Sequence, residues 1–261
     1  MTLKFYKYHG TGNDFILIDD RKDRILWNQE LIAELCHRRF GIGADGLMLL
    51  KTSQSCDFRM IYYNSDGREG SMCGNGGRCI TAFARELGLI KDEAIFEAID
   101  GSHKAMITGQ EKNETHVKVM MGDVARIERE NENFFLDTGS PHFIRFVTGL
   151  KNMDVVKEGR AIRNSERFRM DGTNVDFAEI MGDRLFVRSY ERGVEDETLS
   201  CGTGVTAAAI AWSIIKPEFT EALIDTLGGA LKVSFQRKEE VFTDVWLEGP
   251  AVFVYKGKVR I

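Results

Sequence analysis

Residues 205–215, VTAAAIAWSII, are the segment that most constrains the fold of this chain. They are apolar on nearly every side of a helix, and Pro217 sets the end of that helix. A helix that is apolar all round is normally buried all round. A β-sheet curled around this helix would bury it on every side.

Two further helices are indicated by their end signals. Asn28 is a favourable N-cap for a helix that runs towards Gly41. A second helix follows Cys73, with apolar residues at positions i, i+3, i+4 and i+7 from Ile80, and with Gly88 as its C-cap.

Short strand patterns fill most of the remaining chain, among them LKFYKYH near the N-terminus and HFIRFV in the middle. Near the C-terminus, LKVSFQRKEEVFTDVWLEG is typical of a hairpin, and AVFVYKGKVRI of a second hairpin with Lys256-Gly257 at its turn. Two strand-rich halves, each with one helix that follows a cysteine and glycines, indicate an internal duplication with a break near residues 109–113.

The composition excludes several classes of protein. The hydrophobic fraction of 43% and charged fraction of 29% are ordinary for a globular chain. A net charge of −5 argues against a surface for nucleic acid or anionic membranes. No window reaches the roughly 18 apolar residues of a membrane span, and the N-terminus is typical of a strand rather than a signal peptide. Five cysteines without regular spacing and without a Cys-x-x-Cys pair indicate neither a disulfide framework nor a zinc site, so we expect a reducing cytoplasm.

The segment MCGNGGRC places Cys73 among glycines just ahead of a predicted helix, and CGTG repeats this arrangement at Cys201. The opening turn of a helix has unpaired N–H groups and partial positive charge. Glycines let a carboxylate or phosphate approach these groups, and a thiol at this place has a lowered pKa. Either copy alone could equally be a glycine-rich loop, a buried cysteine or a phosphate-binding turn.

The two copies together favour acid–base chemistry at one carbon. If two lobes face each other, the helix starts converge, and one carboxylate is held with a sulfur on either side of the carbon next to it. Such a pair removes a proton from one face of a Cα and delivers one to the other face. Inversion without a cofactor requires this arrangement, because a single base tends to return the proton to its original face.

Six segments along the whole chain are similar to motifs of the diaminopimelate epimerases, which invert one α-carbon of diaminopimelate without pyridoxal phosphate. They are YHGTGNDFILIDDR, RRFGIGADGL, YYNSDGREGSMCGNGGRC, TGSPHF, GTNVDF and YERGVEDETLSCGTG. Proline racemase-like enzymes typically carry histidine where Asn75 stands, and the phenazine-biosynthesis isomerases lack the thiol pair. Asn75 and the two cysteines therefore favour the epimerases.

The resemblance assigns roles to particular residues, with Cys73 and Cys201 as the two bases. The backbone N–H groups that would hold the reacting carboxylate belong to Gly74, Asn75, Gly202 and Thr203. The side chains that match substrate-recognition positions, mainly for the non-reacting end, are Asn13, Asn64, Asn174, Glu191 and Arg192. The chain departs from the family at Ser140, where asparagine is frequent, and at Gly46, where many members have glutamine.

The resemblance also implies an α+β fold of two pseudo-symmetric lobes, each a mixed β-sheet curled into a barrel around a central helix. The N-terminal lobe would comprise residues 1–112 with a returning strand at about 249–261, and the C-terminal lobe residues 113–248. We expect a cofactor-independent isomerase without a metal, which converts LL-diaminopimelate to meso-diaminopimelate for lysine and peptidoglycan precursors. We expect a cytoplasmic homodimer that binds neither nucleic acid nor membranes.

Other residues have simpler interpretations. His142 either supports the thiols or is a structural histidine in the turn after Pro141. We expect Arg78 to be a surface or ion-paired arginine, and Cys36 and Cys79 to be structural.

Three other functions remain open from the residues alone. A nucleotide-binding protein is disfavoured because Cys79 replaces the last glycine of a G-x-G-x-x-G pattern and no Walker lysine follows. A cysteine hydrolase would give no reason for a second CGxG segment. A binding protein without catalysis would hold its ligand in the same cleft between the two lobes, but its thiols would be dispensable.

Overall fold

A computed structural model describes residues 1–261. Its four α-helices are α1 (Gln29–Cys36), α2 (Gly74–Glu86), α3 (Val155–Arg163) and α4 (Gly202–Ile215), and a short 3-10 helix covers Leu150–Asn152. The strands, in chain order, are β1 (Thr2–Gly10), β2 (Asn13–Asp19), β3 (Gly46–Lys51), β4 (Phe58–Asn64), β5 (Glu93–Ala98), β6 (Gly101–Glu111), β7 (Glu114–Met120), β8 (Ile127–Glu130), β9 (Asn133–Asp137), β10 (Pro141–Phe146), β11 (Asn174–Met181), β12 (Arg184–Glu191), β13 (Asp196–Thr198), β14 (Glu221–Thr226), β15 (Gly229–Lys238) and β16 (Val241–Arg260). None of the helices combines the length and apolar character that crossing a bilayer requires.

The chain divides into two compact units. The first unit comprises Met1–Val119 and Gly249–Ile261, and the second unit comprises Met120–Glu248. The long strand β16 therefore contributes its first part to the second unit and its last part to the first unit.

The first unit is a closed barrel around α2. Its strands follow the order β1 to β7 and then β16, and β16 pairs with β1 to close the sheet. The β2–β3 and β4–β5 pairs are parallel and the others antiparallel, so the sheet is mixed. Residues 74–84 of α2 are all buried. The predicted curled sheet around a central helix is confirmed for this unit.

The second unit repeats this arrangement around α4. Its strands follow the order β8, β9, β10, β11, β12, β14, β15 and β16, with β10–β11 and β12–β14 parallel. An antiparallel bridge between Val124 and Phe242 joins the segment before β8 to β16. Trp212 and most other α4 residues are buried, as the apolar sequence of this helix predicts.

The order of elements is the same in both units. One helix joins each first parallel pair, α1 between β2 and β3, and α3 between β10 and β11. The enclosed helix joins each second pair, α2 between β4 and β5, and α4 between β12 and β14. This repeated order agrees with the predicted internal duplication.

The predicted C-terminal hairpin at Lys256-Gly257 is wrong, because β16 continues through these residues to Arg260. Lys256 pairs with Tyr6 and Gly257 with Phe5 of β1. A Cβ atom at position 257 would lie 2.7 Å from Cζ of Phe5. Glycine is therefore required here for close packing of a ring, and not for a turn.

The starts of the predicted helices are correct, but α1 ends earlier than expected. Asn28 caps α1, since its Oδ1 accepts the N–H of Leu31 at 2.9 Å. The helix ends at Cys36 rather than Gly41, because the N–H groups of Ile42 and Gly43 turn back to the carbonyl of Leu35. Gly88 follows the C-cap residue Leu87 of α2 and has a φ of 71°, as a glycine just beyond a helix end should.

The sequence did not indicate α3, although Asp154 caps it by accepting the N–H of Lys157. Gly159 interrupts its helical pattern. A Cβ atom at this position would lie 2.5 Å from Cβ of Tyr190, so the packing of α3 requires a glycine that local sequence preferences disfavour.

Candidate active site

Cys73 is the N-cap residue of α2. Its backbone is extended, with φ −109° and ψ 124°, and its carbonyl accepts the N–H of Gly77 at 2.7 Å. The side chain does not cap the helix and is partly exposed. The predicted placement of this thiol at the start of a helix is thus correct.

Two asparagines lie beside Cys73. Its Sγ atom is 3.7 Å from Oδ1 of Asn13, and the same oxygen accepts Nδ2 of Asn75 at 3.4 Å. The amide nitrogen of Asn13 donates to Asp45 at 2.9 Å, and this bond turns the oxygen towards the thiol. The structure therefore brings together three of the residues that the sequence singles out.

Arg78 contradicts the expectation of a surface or ion-paired side chain. It is fully buried, because its position on α2 faces the interior of the barrel, and it forms no salt bridge. Burial lowers the pKa of its guanidinium to about 10, so the side chain remains protonated at neutral pH. Cys36 and Cys79, by contrast, are buried, which agrees with the expectation that they are structural.

Cys201 is the N-cap residue of α4 and has the same extended backbone, with φ −110° and ψ 113°. Its carbonyl accepts the N–H of Val205 at 3.0 Å. Burial raises the pKa of the Cys201 thiol well above its usual value, and the carboxyl groups of Glu191 and Asp176 add to this effect. Cys201 is therefore a neutral thiol at neutral pH.

A chain of hydrogen bonds connects Cys201 to a buried histidine and carboxylate. The Sγ atom of Cys201 is 3.4 Å from Oγ1 of Thr203, and this hydroxyl is 2.8 Å from Nε2 of His142. The other ring nitrogen of His142 is 2.7 Å from Oδ2 of Asp176. His142 is completely buried and joined to the thiol through Thr203, and this supports the functional interpretation over the structural one.

Asp176 is a site residue that the sequence motifs alone do not single out. The parallel β10–β11 register places His142 beside Asn174, and Asp176 shares a face with Asn174 because strand side chains alternate. Ser189, opposite Asp176 on β12, donates to the second carboxylate oxygen at 2.5 Å. Alternation within GTNVDF puts Asp176 on the same face as Asn174, but only the register between β10 and β11 brings it to His142.

Three candidate recognition residues lie near this chain of contacts. The Oδ1 atom of Asn174 accepts the backbone N–H of Arg192 at 2.8 Å. The guanidinium of Arg192 is exposed and donates to the carbonyl of Asp171 at 2.9 Å. The carboxyl of Glu191 accepts the hydroxyl of Thr198 at 2.5 Å, and burial raises its pKa.

The remaining candidates occupy turns. Asn64 begins the turn after β4, where its carbonyl accepts the N–H of Gly67 at 2.9 Å. Ser140 accepts the N–H of Thr138 through its carbonyl at 3.2 Å, and the Thr138 hydroxyl donates to the carbonyl of Thr203 at 2.8 Å. Ser140 thus belongs to the turn that supports the start of α4.

Gly46, the second departure from the family pattern, is closely packed. A Cβ atom there would lie 2.5 Å from the ring of Tyr62 and 2.6 Å from the carbonyl oxygen of Tyr63. The space for a larger side chain is therefore taken by the neighbouring strand.

Comparison with known proteins matches both units to one family. The family model for diaminopimelate epimerase matches residues 5–127 and 134–254. The chain is 49% identical to the diaminopimelate epimerase of Flavobacterium psychrophilum, covering 98% of this chain and 100% of that protein. It is 43% identical to the diaminopimelate epimerase of Chlorobaculum tepidum, covering 97% and 99%.

Solved structures with lower sequence identity share the fold. A phenazine biosynthesis protein of the PhzF family from Bacillus anthracis aligns with a TM-score of 0.80 at 17% identity, covering all of both chains. A hydroxyproline epimerase from Agrobacterium vitis, solved with bound trans-4-hydroxy-L-proline, aligns with a TM-score of 0.73 at 15% identity, covering 99% of this chain and 92% of that one.

Proposed function

The chain belongs to the diaminopimelate epimerase family, and we propose that it converts LL-diaminopimelate to meso-diaminopimelate with Cys73 and Cys201 as its two bases. The observation that carries the proposal is the repeated cysteine, which is the N-cap of the enclosed helix in each unit. A protein that used a single nucleophilic thiol would have no need of the second. As a member of this family, the chain is an isomerase.

Inversion proceeds by two proton transfers at one Cα. One cysteine, as a thiolate, accepts the Cα proton, and the C–H electron pair passes into the adjacent carboxylate group. The other cysteine, as a thiol, donates a proton to the opposite face and becomes the thiolate. The pair then has the protonation states required for the reverse direction, so no cofactor enters the balance.

The charge that develops on the reacting carboxylate needs hydrogen-bond donors. We assign this role to the backbone N–H groups of Gly74, Asn75, Gly202 and Thr203, which lie in the first turns of α2 and α4. Neither cysteine side chain occupies these donors as a conventional cap would. Donors fixed in advance stabilise developing charge without reorganisation.

We assign recognition of the distal amino-acid group of the substrate to the side chains that match recognition positions of the family. The residues proposed for it are Asn13, Asn64, Asn174, Glu191 and Arg192. Arg192 has an exposed guanidinium that suits a carboxylate, and Glu191 has an acceptor that suits an ammonium group. Distal recognition explains how a substrate with two similar ends is inverted at one end.

The same proposal extends to the pathway, the oligomeric state and the cellular location of the enzyme. Its product would serve lysine synthesis and peptidoglycan precursors, and we expect a homodimer in the cytoplasm. Of these features, lysine biosynthesis is the one that family membership supports directly.

Incubation with LL-diaminopimelate in deuterated water tests the function. We expect deuterium at one Cα and formation of the meso isomer, observed by proton NMR and chiral chromatography. Folded, reduced protein that exchanges no proton would contradict the proposal. Proton exchange at proline or hydroxyproline instead would show that the protein has the same fold but acts on a different substrate.

A further inference from the structure

Arg78 is a buried cation without an anionic partner. It has no exposed surface, and its contacts are all neutral oxygen atoms. They are Asn75 Oδ1 at 2.8 Å, the Gly74 carbonyl at 3.3 Å, the Pro250 carbonyl at 3.4 Å and Thr11 Oγ1 at 3.5 Å. Burial of a charge costs free energy that neutral acceptors only partly offset, so this guanidinium requires an explanation.

The helix itself does not require the charge. Arg78 stands five residues after Cys73, and Thr206 stands five residues after Cys201. Thr206 donates to the carbonyl of Gly202 at 2.9 Å, in the place where Arg78 donates to the carbonyl of Gly74. A neutral hydroxyl therefore satisfies the equivalent carbonyl of α4.

Arg78 is linked to Cys73 through two asparagines. Its Nη2 atom donates to Asn75 Oδ1 at 2.8 Å, and Asn75 Nδ2 lies 3.4 Å from Asn13 Oδ1. That oxygen is 3.7 Å from the Sγ atom of Cys73. The guanidinium thus sets which end of the Asn75 amide faces Asn13, the residue in contact with the thiol.

The two enclosed helices consequently differ in charge at their starts. The thiol of Cys201 lies near the carboxyl groups of Glu191 and Asp176. The thiol of Cys73 lies near the cation of Arg78, and the two attract each other when Cys73 is ionised.

We propose that Arg78 is a positioning residue whose buried charge favours the thiolate of Cys73 and whose hydrogen bond orients Asn75. The proposal deepens the proposed function, since it assigns the means by which one of the two bases is ionised. Arg78 acts through Cys73 and Asn75.

Other titratable groups near α2 do not supply this charge. Several lie on strands that pack against α2 and already have partners of their own. The ion pairs are Asp14 with both Lys7 and Arg38, Lys51 with Asp20, and His103 with Asp100. The ring of Tyr8 is buried against that of Phe83. Burial lowers the pKa of His9, so it is neutral at neutral pH. Burial raises the pKa of Cys79 to about 12, and this thiol also stays neutral.

The pH dependence of thiol alkylation tests the proposal without substrate. The rate of iodoacetamide modification at Cys73 is followed by peptide mass mapping, which separates it from Cys56 and Cys201. We expect Arg78→Gln to raise the pH midpoint for Cys73 by about one unit or more, because removal of a nearby opposite charge disfavours the thiolate. We expect Arg78→Lys, which keeps the charge, to restore most of the wild-type midpoint.

Arg85→Gln is the matched control, since it removes one positive charge from the last turn of the same helix. It should leave the midpoint unchanged. An unchanged midpoint in folded Arg78→Gln, or a shift in Arg78→Lys as large as in Arg78→Gln, would overturn the role of the charge. If Arg78→Gln does not fold, the comparison is made within the wild-type protein. The pH midpoint for alkylation of Cys73 should then lie below that of Cys201, and an equal or higher midpoint would overturn the proposal. Alkylation needs no substrate, so this experiment tests the role of Arg78 even if the protein does not epimerise diaminopimelate.

Discussion

Nδ1 of His142 lies 2.7 Å from Oδ2 of Asp176, and both side chains are completely buried. A carboxylate accepts hydrogen bonds, so this contact places the ring proton on Nδ1 and leaves Nε2 as an acceptor. The Thr203 hydroxyl then donates to Nε2, and its oxygen faces Sγ of Cys201 at 3.4 Å. Asp176 therefore sets the direction of every hydrogen bond up to the thiol.

Asp176→Asn should lower kcat by roughly 100-fold with little change in KM, because an amide can reverse the tautomer of His142. Steady-state epimerisation of LL-diaminopimelate measures both constants. Asp225→Asn is the control, because Asp225 is a partly exposed carboxylate of the same unit that pairs with Arg184. A folded Asp176→Asn variant with the wild-type kcat would show that the tautomer does not matter.

Thr203→Val should reduce kcat about tenfold, since it removes the hydroxyl between His142 and Cys201 but keeps the shape of the side chain. The backbone N–H proposed for carboxylate binding remains, so KM should change less than kcat. Thr203→Ser retains a hydroxyl and should recover most of the rate. Equal losses in the valine and serine variants would contradict a role for the hydroxyl.

Gly204→Ala should lower the free energy of unfolding by about 1–3 kcal/mol, because the added Cβ would lie 2.2 Å from Oδ1 of Asp176. The carboxylate must then move away from α4, and activity should fall as well. Gly122→Ala is the matched control in the same unit, since a Cβ there meets nothing within 4 Å. Urea unfolding of both variants makes the comparison, and equal stabilities would contradict close packing at Gly204.

The protein should lose stability at alkaline pH through its buried thiols. Burial raises the pKa of Cys36 and Cys79 to about 12, and that of Cys201 well above its usual value. The unfolded chain releases these protons near pH 8.5, whereas the folded chain keeps them. Their contribution is complete below about pH 8.5 and falls by roughly 1.4 kcal/mol per pH unit for each thiol as the pH rises towards about 12.

Urea unfolding between about pH 7 and about pH 10.5 in reducing buffer measures this slope. Cys36→Ala should lose some stability at every pH from the cavity that it leaves, but its alkaline slope should be shallower by about 1.4 kcal/mol per pH unit. Parallel curves for the variant and the wild-type protein would contradict the buried-thiol explanation.

Three of the four α-helices, α1, α2 and α4, could be predicted because their signals are local. The apolar circumference of α4, the glycine after α2 and the N-cap Asn28 each depend on residues within one or two turns. The turn predicted at Gly257 failed because the reason for that glycine is a ring on a strand about 250 residues away in sequence. Gly159 hid α3 in the same way, since its partner Tyr190 belongs to β12. From the sequence alone, a glycine required for tertiary packing cannot be distinguished from a glycine required for a turn.

The site shows a similar division. The two cysteines were recognisable from the sequence because each begins a helix. The expectation for Arg78 is wrong because the residues next to it in sequence do not reveal that a barrel closes around α2. Asp176 depends on the register between β10 and β11, which pattern reading within one strand does not supply.

The most direct test of the two-base mechanism is the rate of LL-to-meso conversion in deuterated water by the two single serine variants. Cys73→Ser and Cys201→Ser should each lose at least about 1000-fold in rate, because an alcohol replaces a thiol on one face of the carbon. Cys56→Ser, which changes a partly exposed cysteine outside the helix starts, should keep the wild-type rate. If either Cys73→Ser or Cys201→Ser, folded and pure, retains the wild-type rate of inversion, the two cysteines do not act as a pair of bases.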